Sequence, residues 1–223
     1  MLFRRVTMAV FSAAVLALIG CSTGGGDFVA KNEPWREAEE SSCNAAGAVR
    51  PSAVIQSRAA LGGPSVCGAA RPFEMSGALG GRVSMKPAAL LRCPMIPQVE
   101  RWVAETVAPQ ARTHLGSPVV EVTVAASYSC RAINHIAGGK LSEHGYANAL
   151  DVSAFTLADG RRITVKGGWY GDSGERAFLR AVHGGACRQF TTVLGPEADR
   201  HHRDHFHMDL ARHGRDGLKR ICQ

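Results

Sequence analysis

The 223-residue sequence has no CxxC pair, no GxSxG elbow, no internal repeat and no basic run interleaved with aromatics. Each absence removes a class. Without CxxC, a cysteine zinc site or a thioredoxin-like redox motif is not expected. Without GxSxG, a serine hydrolase has no strained turn on which to raise its nucleophile. Aromatics make up only 6% of the chain, and their scatter is a poor fit to nucleic acid. Apolar runs are also scarce, and past residue 20 no segment is apolar enough to span a bilayer.

The one apolar run sits at the start. Met1 to Arg5 is a short basic region, and Met8 to Ile19 is an apolar stretch too short for a comfortable span. It ends in Leu18-Ile19-Gly20-Cys21, which resembles the bacterial lipobox. Residues 1–20 are therefore expected to be a lipoprotein signal peptide, with Cys21 carrying lipid. An ordinary secretory signal with an incidental Cys21 is the alternative. Ser22 in the next position, rather than aspartate, favours the outer membrane where the host has one. The expected location is thus exported, lipid-anchored in the periplasm. Loss of residues 1–20 removes Arg4 and Arg5 and takes the formal charge from +7 to +5. A basic exported protein suits an anionic surface or polymer, such as the cell wall or lipid headgroups. A monomer is expected.

Setting Cys21 aside leaves Cys43, Cys67, Cys93, Cys130, Cys187 and Cys222. An even number in an oxidising compartment reads as disulfides, with the connectivity left open by sequence alone.

Residues 21–45 are mostly Ser, Gly, Asn, Glu and Ala with little periodicity, and read as a flexible tether. Residues 46–223 then form one domain. In its first fifty residues, rich in Gly, Pro and Cys, only Gly81 to Met85 reads as a short strand. From Pro97, Val99, Trp102, Val103, Thr106 and Val107 recur at helical spacing, with Pro109 a kink or stop and Gly116 the latest end. Strands are expected over 119–126 and 147–157, the second turning at Asp159-Gly160 into a hairpin partner at 161–165. A helix over about 175–184 and strands over 190–194 and 205–210 complete the reading. Helices and strands joined by hairpins predict an α+β fold: a single compact domain with a small antiparallel sheet and flanking helices.

The chemistry concentrates in two places. In "HHRDHFHMDL", residues 201–210, Phe206, Met208 and Leu210 alternate with His205, His207 and Asp209, so a strand here has an apolar back and an imidazole–carboxylate front. In "SEHGYANALD", residues 142–151, Leu150, Val152 and Ala154 face a core, which lifts Asp151 to the other side with His144 on the loop before it. Two histidines and a carboxylate, with a fourth position open, is what a catalytic zinc needs.

SxHxxAxAxD followed by HxxHxH resembles the LAS-type metallopeptidases, a group of D-Ala-D-Ala dipeptidases, carboxypeptidases and murein endopeptidases that cut peptidoglycan cross-links. The resemblance implies Zn2+ held by His144, Asp151 and His207, a catalytic role for His205 with His202 helping, and Arg131 in "SYSCR" binding a substrate carbonyl or carboxylate, with Ser142 beside it. Two positions depart from that pattern. Ala147 stands where many of those enzymes have glycine. Asp204 stands where the carboxypeptidase types carry a catalytic glutamate, which moves the base role onto histidine and favours endopeptidase-like chemistry. Over roughly residues 60–212, "SYSCR", "LSEH", "ANALDVSAF" and "VLGP" together with "HHRDHFHMDL" resemble the extensin-like C-terminal domain family of bacterial exported proteins. These resemblances predict an enzyme acting on peptidoglycan peptides, with a non-catalytic cell-wall- or metal-binding module on the same fold as the alternative. A disulfide bracing the Arg131 segment is expected, with Cys130 paired to Cys187.

Overall fold

The computed structural model describes residues 28–223, so the expected signal peptide, Cys21 and the first part of the tether lie outside the described residues. In chain order the elements are β1 (Phe28–Val29), α1 (Trp35–Ala45), β2 (Ile55–Ser57), β3 (Leu61–Gly62), β4 (Gly68–Ala69), β5 (Phe73–Ala78), β6 (Val83–Leu91), α2 (Met95–Trp102), α3 (Ala108–Leu115), β7 (Val119–Ala126), β8 (Gly139–Lys140), β9 (Ala149–Leu157), β10 (Arg162–Thr164), α4 (Val165–Gly168), α5 (Ser173–Gln189), β11 (Thr192–Leu194), β12 (Phe206–Asp209) and β13 (Ile221–Cys222).

Nine of these strands form one sheet in the order β13-β11-β12-β9-β7-β6-β5-β2, with β10 added on β9. The mixed α and β architecture is the one expected, but the sheet is larger than the small antiparallel one anticipated. It is also mixed, because β6 runs parallel to β7 and β11 parallel to β13. The added strands β2, β5 and β6 come from the Gly- and Pro-rich residues 46–95, and β13 from the last residues of the chain. Strands β5 and β6 pair over Phe73↔Leu91 to Ala78↔Val83 with a bulge near Met75 to Gly77. Pro87 and three glycines hid this hairpin from a strand-propensity reading.

Strand β9 is the centre. It pairs with β7 from Asp151 to Leu157, with bulges, while its other edge is shared: Ala149 to Val152 against β12, Ala154 to Thr156 against β10. The core lies between one face of this sheet and the helices, with Leu150, Val152, Phe155, Phe206 and Met208 from the sheet packed towards Trp102, Phe178 and Val182. The Trp102 indole N–H reaches across to donate to the Val182 carbonyl at 2.9 Å, tying α2 to α5.

The segment from Pro97 does not stop at Pro109. Between α2 and α3 a widened π turn spans Val103–Val107, and Pro109 sits in the first turn of α3. A proline inside an α-helix loses its donor and strikes the carbonyl four residues back; the wider turn just before it relieves that misfit. The helix ends where Gly116 adopts a left-handed φ of 67°. Similarly, α5 starts with the Asp172 carboxylate accepting from the Glu175 N–H at 2.9 Å, and it runs past Gly184 to Gln189. Gly185 is there for contact, since a Cβ on it would overlap the Thr106 side chain of the π turn.

Two expectations are corrected. The tether is not featureless to residue 45, because α1 occupies its last 11 residues and buries Arg36 and Glu40. And Cys130 does not pair with Cys187. All six cysteines among the described residues are bridged, as Cys43–Cys93, Cys67–Cys130 and Cys187–Cys222. Cys187 is on α5, on the helix side of the sheet, and its neighbour there is the terminal strand β13. Cys130 is on the opposite face, packed with Cys67, Leu141 and Tyr146. No helix among the described residues is long and apolar enough to cross a membrane.

The Gly185 contact is testable. Gly185→Ala should destabilise the domain by roughly 1–3 kcal/mol, as overpacking at a well-filled helix crossing does. Urea unfolding should show a lower midpoint with an unchanged slope; an unaltered midpoint would mean that the helices can part there freely.

Candidate metal centre

Because side chains alternate along a strand, the residues of β9 and β12 that do not enter the core share the other face. Register places Asp151 directly opposite His207, and Ala149 opposite Asp209; β11 adds Leu194 beside His207 and Thr192 beside Asp209. His144 arrives from a short 3-10 helix, Glu143–Tyr146, that leads into β9. Ser142 is the N-cap of that turn, its hydroxyl accepting from the His144 N–H at 3.4 Å. The turn closes at Ala147, held at a left-handed φ of 51°. That conformation suits glycine, and here alanine adopts it.

These elements bring His144, Asp151 and His207 together, with one potential ligand atom from each lying within 4.8 Å of the others. His144 Nε2 is 3.1 Å from Asp151 Oδ2 and 3.3 Å from His207 Nδ1, and His207 Nδ1 is 2.9 Å from Asp151 Oδ1. Ligand atoms on a tetrahedron with bonds of about 2.0–2.1 Å stand about 3.3 Å apart, so the three are already at ligating separations. Their other ring nitrogens are committed. His144 Nδ1–H donates to the Ser127 carbonyl at 2.5 Å, and His207 Nε2–H donates to Asp209 Oδ2 at 2.9 Å. A carbonyl can only accept, so it fixes the His144 tautomer with Nε2 free, and Asp209 does the same for His207 Nδ1. The residues fit a divalent metal such as zinc.

Electrostatics agree. Burial disfavours the Asp151 carboxylate, but the His144 and His207 imidazoles beside it outweigh that and hold it well below the usual carboxylate range. Burial also pushes the His207 imidazolium down, and hydrogen bonds to Asp151 and Asp209 more than reverse it, raising its pKa to about 10. Two buried carboxylates flanking one imidazole thus demand positive charge between them.

The centre lies in a cleft of about 380 Å³. His202 and His205 line it, and each is oriented by its own carboxylate: His202 Nδ1 to Asp199 Oδ1 at 2.8 Å, His205 Nδ1 to Asp204 Oδ1 at 2.9 Å. The His205 Nε2 atom is 3.7 Å from Asp151 Oδ2, beside the ligand cluster rather than in it. Burial lowers the pKa of His202 against the opposing effect of Asp199, favouring the neutral ring. Arg131 lines the same cleft and makes no ion pair among the described residues; Glu143, which also lines it, is taken by Arg36. His201 stays exposed at the rim, its N–H donating to Asp199.

All six expected cleft residues, His144, Asp151, His207, His205, His202 and Arg131, therefore meet in one place. Ser142 lines it too, but its hydroxyl is engaged as a cap. Sequence reasoning missed Asp199 and the Thr192–His213 pair (2.7 Å) on the cleft wall, and gave Asp209 no role of its own. Asp209 was legible as part of the polar strand front. Asp199 and His213 lie in loops, where no periodicity marks them.

A family model described as the extensin-like protein C-terminus matches residues 41–223, wider than the span over which the motifs alone carry the likeness. Comparison with curated proteins and with solved structures gives no match. The matched span holds the three candidate ligands, the histidines and arginine of the cleft and all six bridged cysteines, and the chain belongs to the extensin-like C-terminus family.

Proposed function

We propose that this chain is a zinc-dependent peptidase acting on peptidoglycan peptides, held in the periplasm by a lipid on Cys21. The observation that carries the reading is the convergence of His144, Asp151 and His207 with both imidazoles oriented from behind by Ser127 and Asp209. The order and spacing of the two motifs, which resemble those of the LAS-type metallopeptidases, support the substrate class. So does the basic balance of the chain, which favours an anionic wall.

Zinc, when bound, supplies Lewis acidity towards a peptide carbonyl and activates water for attack. The protein does the rest. His205, fixed by Asp204 beside the ligand cluster, takes a proton from the attacking water or steadies the developing oxyanion. His202, neutral and fixed by Asp199, is placed to pass a proton to the leaving amine. Arg131, which makes no ion pair among the described residues, holds a peptide oxygen of the substrate. The cleft is large enough for a few residues of peptide and closed at its floor by the sheet.

Purified protein incubated with cross-linked muropeptides should cut them, and a chelator should stop it. His207→Ala should lose both zinc and hydrolysis. His205→Ala should keep zinc and lose hydrolysis by about 100-fold or more. If both variants lose metal alike, His205 is a ligand; if wild type binds zinc and leaves every cross-link intact, the chain is a binding module.

Asp209→Asn should weaken zinc binding by roughly 10-fold or more, since it removes the carboxylate behind His207. Competition against a chromophoric chelator reads this directly, and an unchanged affinity would remove Asp209 from the centre.

A further inference from the structure

Helix α1 reaches the metal centre from behind through one side chain. The Arg36 guanidinium grips Glu143 with two bonds, Nη1 to Oε2 at 2.5 Å and Nη2 to Oε1 at 2.6 Å. Its other edge takes Glu33 Oε2, and its faces are covered by the Trp35 and Tyr146 rings at 4.3 and 4.0 Å. Arg36 is 8% exposed, so this is not a solvated surface pair of small worth. Glu143 is the residue before His144, and Tyr146 is two residues after it. One cation therefore holds both ends of the turn that presents His144.

The grip continues towards the second motif. Glu143 Oε2 also accepts from Asn148 Nδ2 at 2.6 Å, the Asn148 N–H donates to the Glu143 carbonyl at 3.0 Å, and the Asn148 carbonyl accepts from the Leu210 N–H just beyond β12. A single 3-10 turn has poor internal hydrogen-bond geometry and little stiffness of its own. Ligand distances at a metal must hold to about 0.2 Å. The turn needs an outside brace, and the only guanidinium gripping it among the described residues is that of Arg36.

We infer that Arg36 and Glu143 are positioning residues for His144, so that α1 sets the metal affinity of a cleft it does not line. The inference rests on the metal-centre reading above. It makes the segment next to the expected lipid anchor part of the site's rigidity, although no atom of it touches substrate.

The test titrates the full chain with Zn2+ against a chromophoric chelator and records the Co2+ absorption spectrum, for wild type, Arg36→Met, Arg36→Lys and Glu143→Gln. Urea unfolding of the metal-free forms runs alongside. Arg36→Met and Glu143→Gln should each weaken zinc by roughly 10- to 100-fold and shift the cobalt bands. Arg36→Lys should recover only part, because an ammonium cannot grip both carboxylate oxygens at once. The double variant should be little worse than the weaker single one. If affinity and spectrum of the folded variants stay within about twofold of wild type while only the urea midpoint falls, α1 merely holds the fold and the inference is wrong. Should Arg36→Met fail to fold, Glu143→Gln decides, since glutamine keeps the shape and an oxygen for Asn148. If wild type binds neither metal, the metal-centre reading itself fails and the positioning role goes with it.

Discussion

The pairing of β9 with β12 is the constraint on which the site depends. Residues opposite each other on antiparallel strands have their Cβ atoms roughly 4.5–5.5 Å apart, and here that closeness is given to Asp151 and His207. Slipping the register by one residue would turn every side chain of β12 over, sending His207 and Asp209 into a core of Phe155, Phe178 and Trp102. What forbids the slip is on the reverse face. Phe206 lies against Val152 and Met208 against Leu150, all four fully buried, so hydrophobic burial behind the sheet fixes the polar geometry in front of it.

That front face is costly by itself. With both imidazoles neutral, Asp151 and Asp209 leave two uncompensated negative charges in a buried cluster. Burial of that kind is tolerated only when a cation shares the site. A proton on His207 answers part of the demand, and the raised pKa of that ring expresses it. A divalent cation answers all of it, and the orientation of the two histidines by Ser127 and Asp209 leaves the inward nitrogens ready to accept one. The same arrangement is repeated outside the ligand set, where Asp199 and Asp204 each fix a histidine of the cleft.

Much of this was legible because strands announce themselves by alternation. The period-2 pattern of 205–210 and the apolar positions Leu150 and Val152 gave the faces of β12 and the start of β9, and with them Asp151 and His207 of the candidate ligand set. Beyond Val152 the alternation breaks at a bulge, and Phe155 rather than Ala154 joins the core. Strand 119–126 and the hairpin after Asp159-Gly160 were visible for the same reason. Disulfide connectivity was not, since it depends on which side of the sheet each cysteine occupies, and that is a property of the assembled topology. The length of α5 was misjudged at Gly184-Gly185, because a glycine needed for close helix contact looks in sequence like one that ends a helix.

Helix α1 shows a different limit. Sequence reading finds helices by the apolar stripe they bury, and α1 buries a charged one: Arg36 and Glu40, one turn apart on the same face. Glu40 accepts from the Ala70 and Arg71 N–H groups as Arg36 holds Glu143, so the helix docks through ion pairs and backbone bonds, with the Cys43–Cys93 bridge locking its end. Such a surface has the composition of a solvated tether, and only its partners, about 30 and 107 residues away, reveal that it is an interface. Hydrophobic burial specifies where the sheet lies, whereas directional charged contacts specify an angle. An element whose task is to aim a short turn has reason to be built from the second.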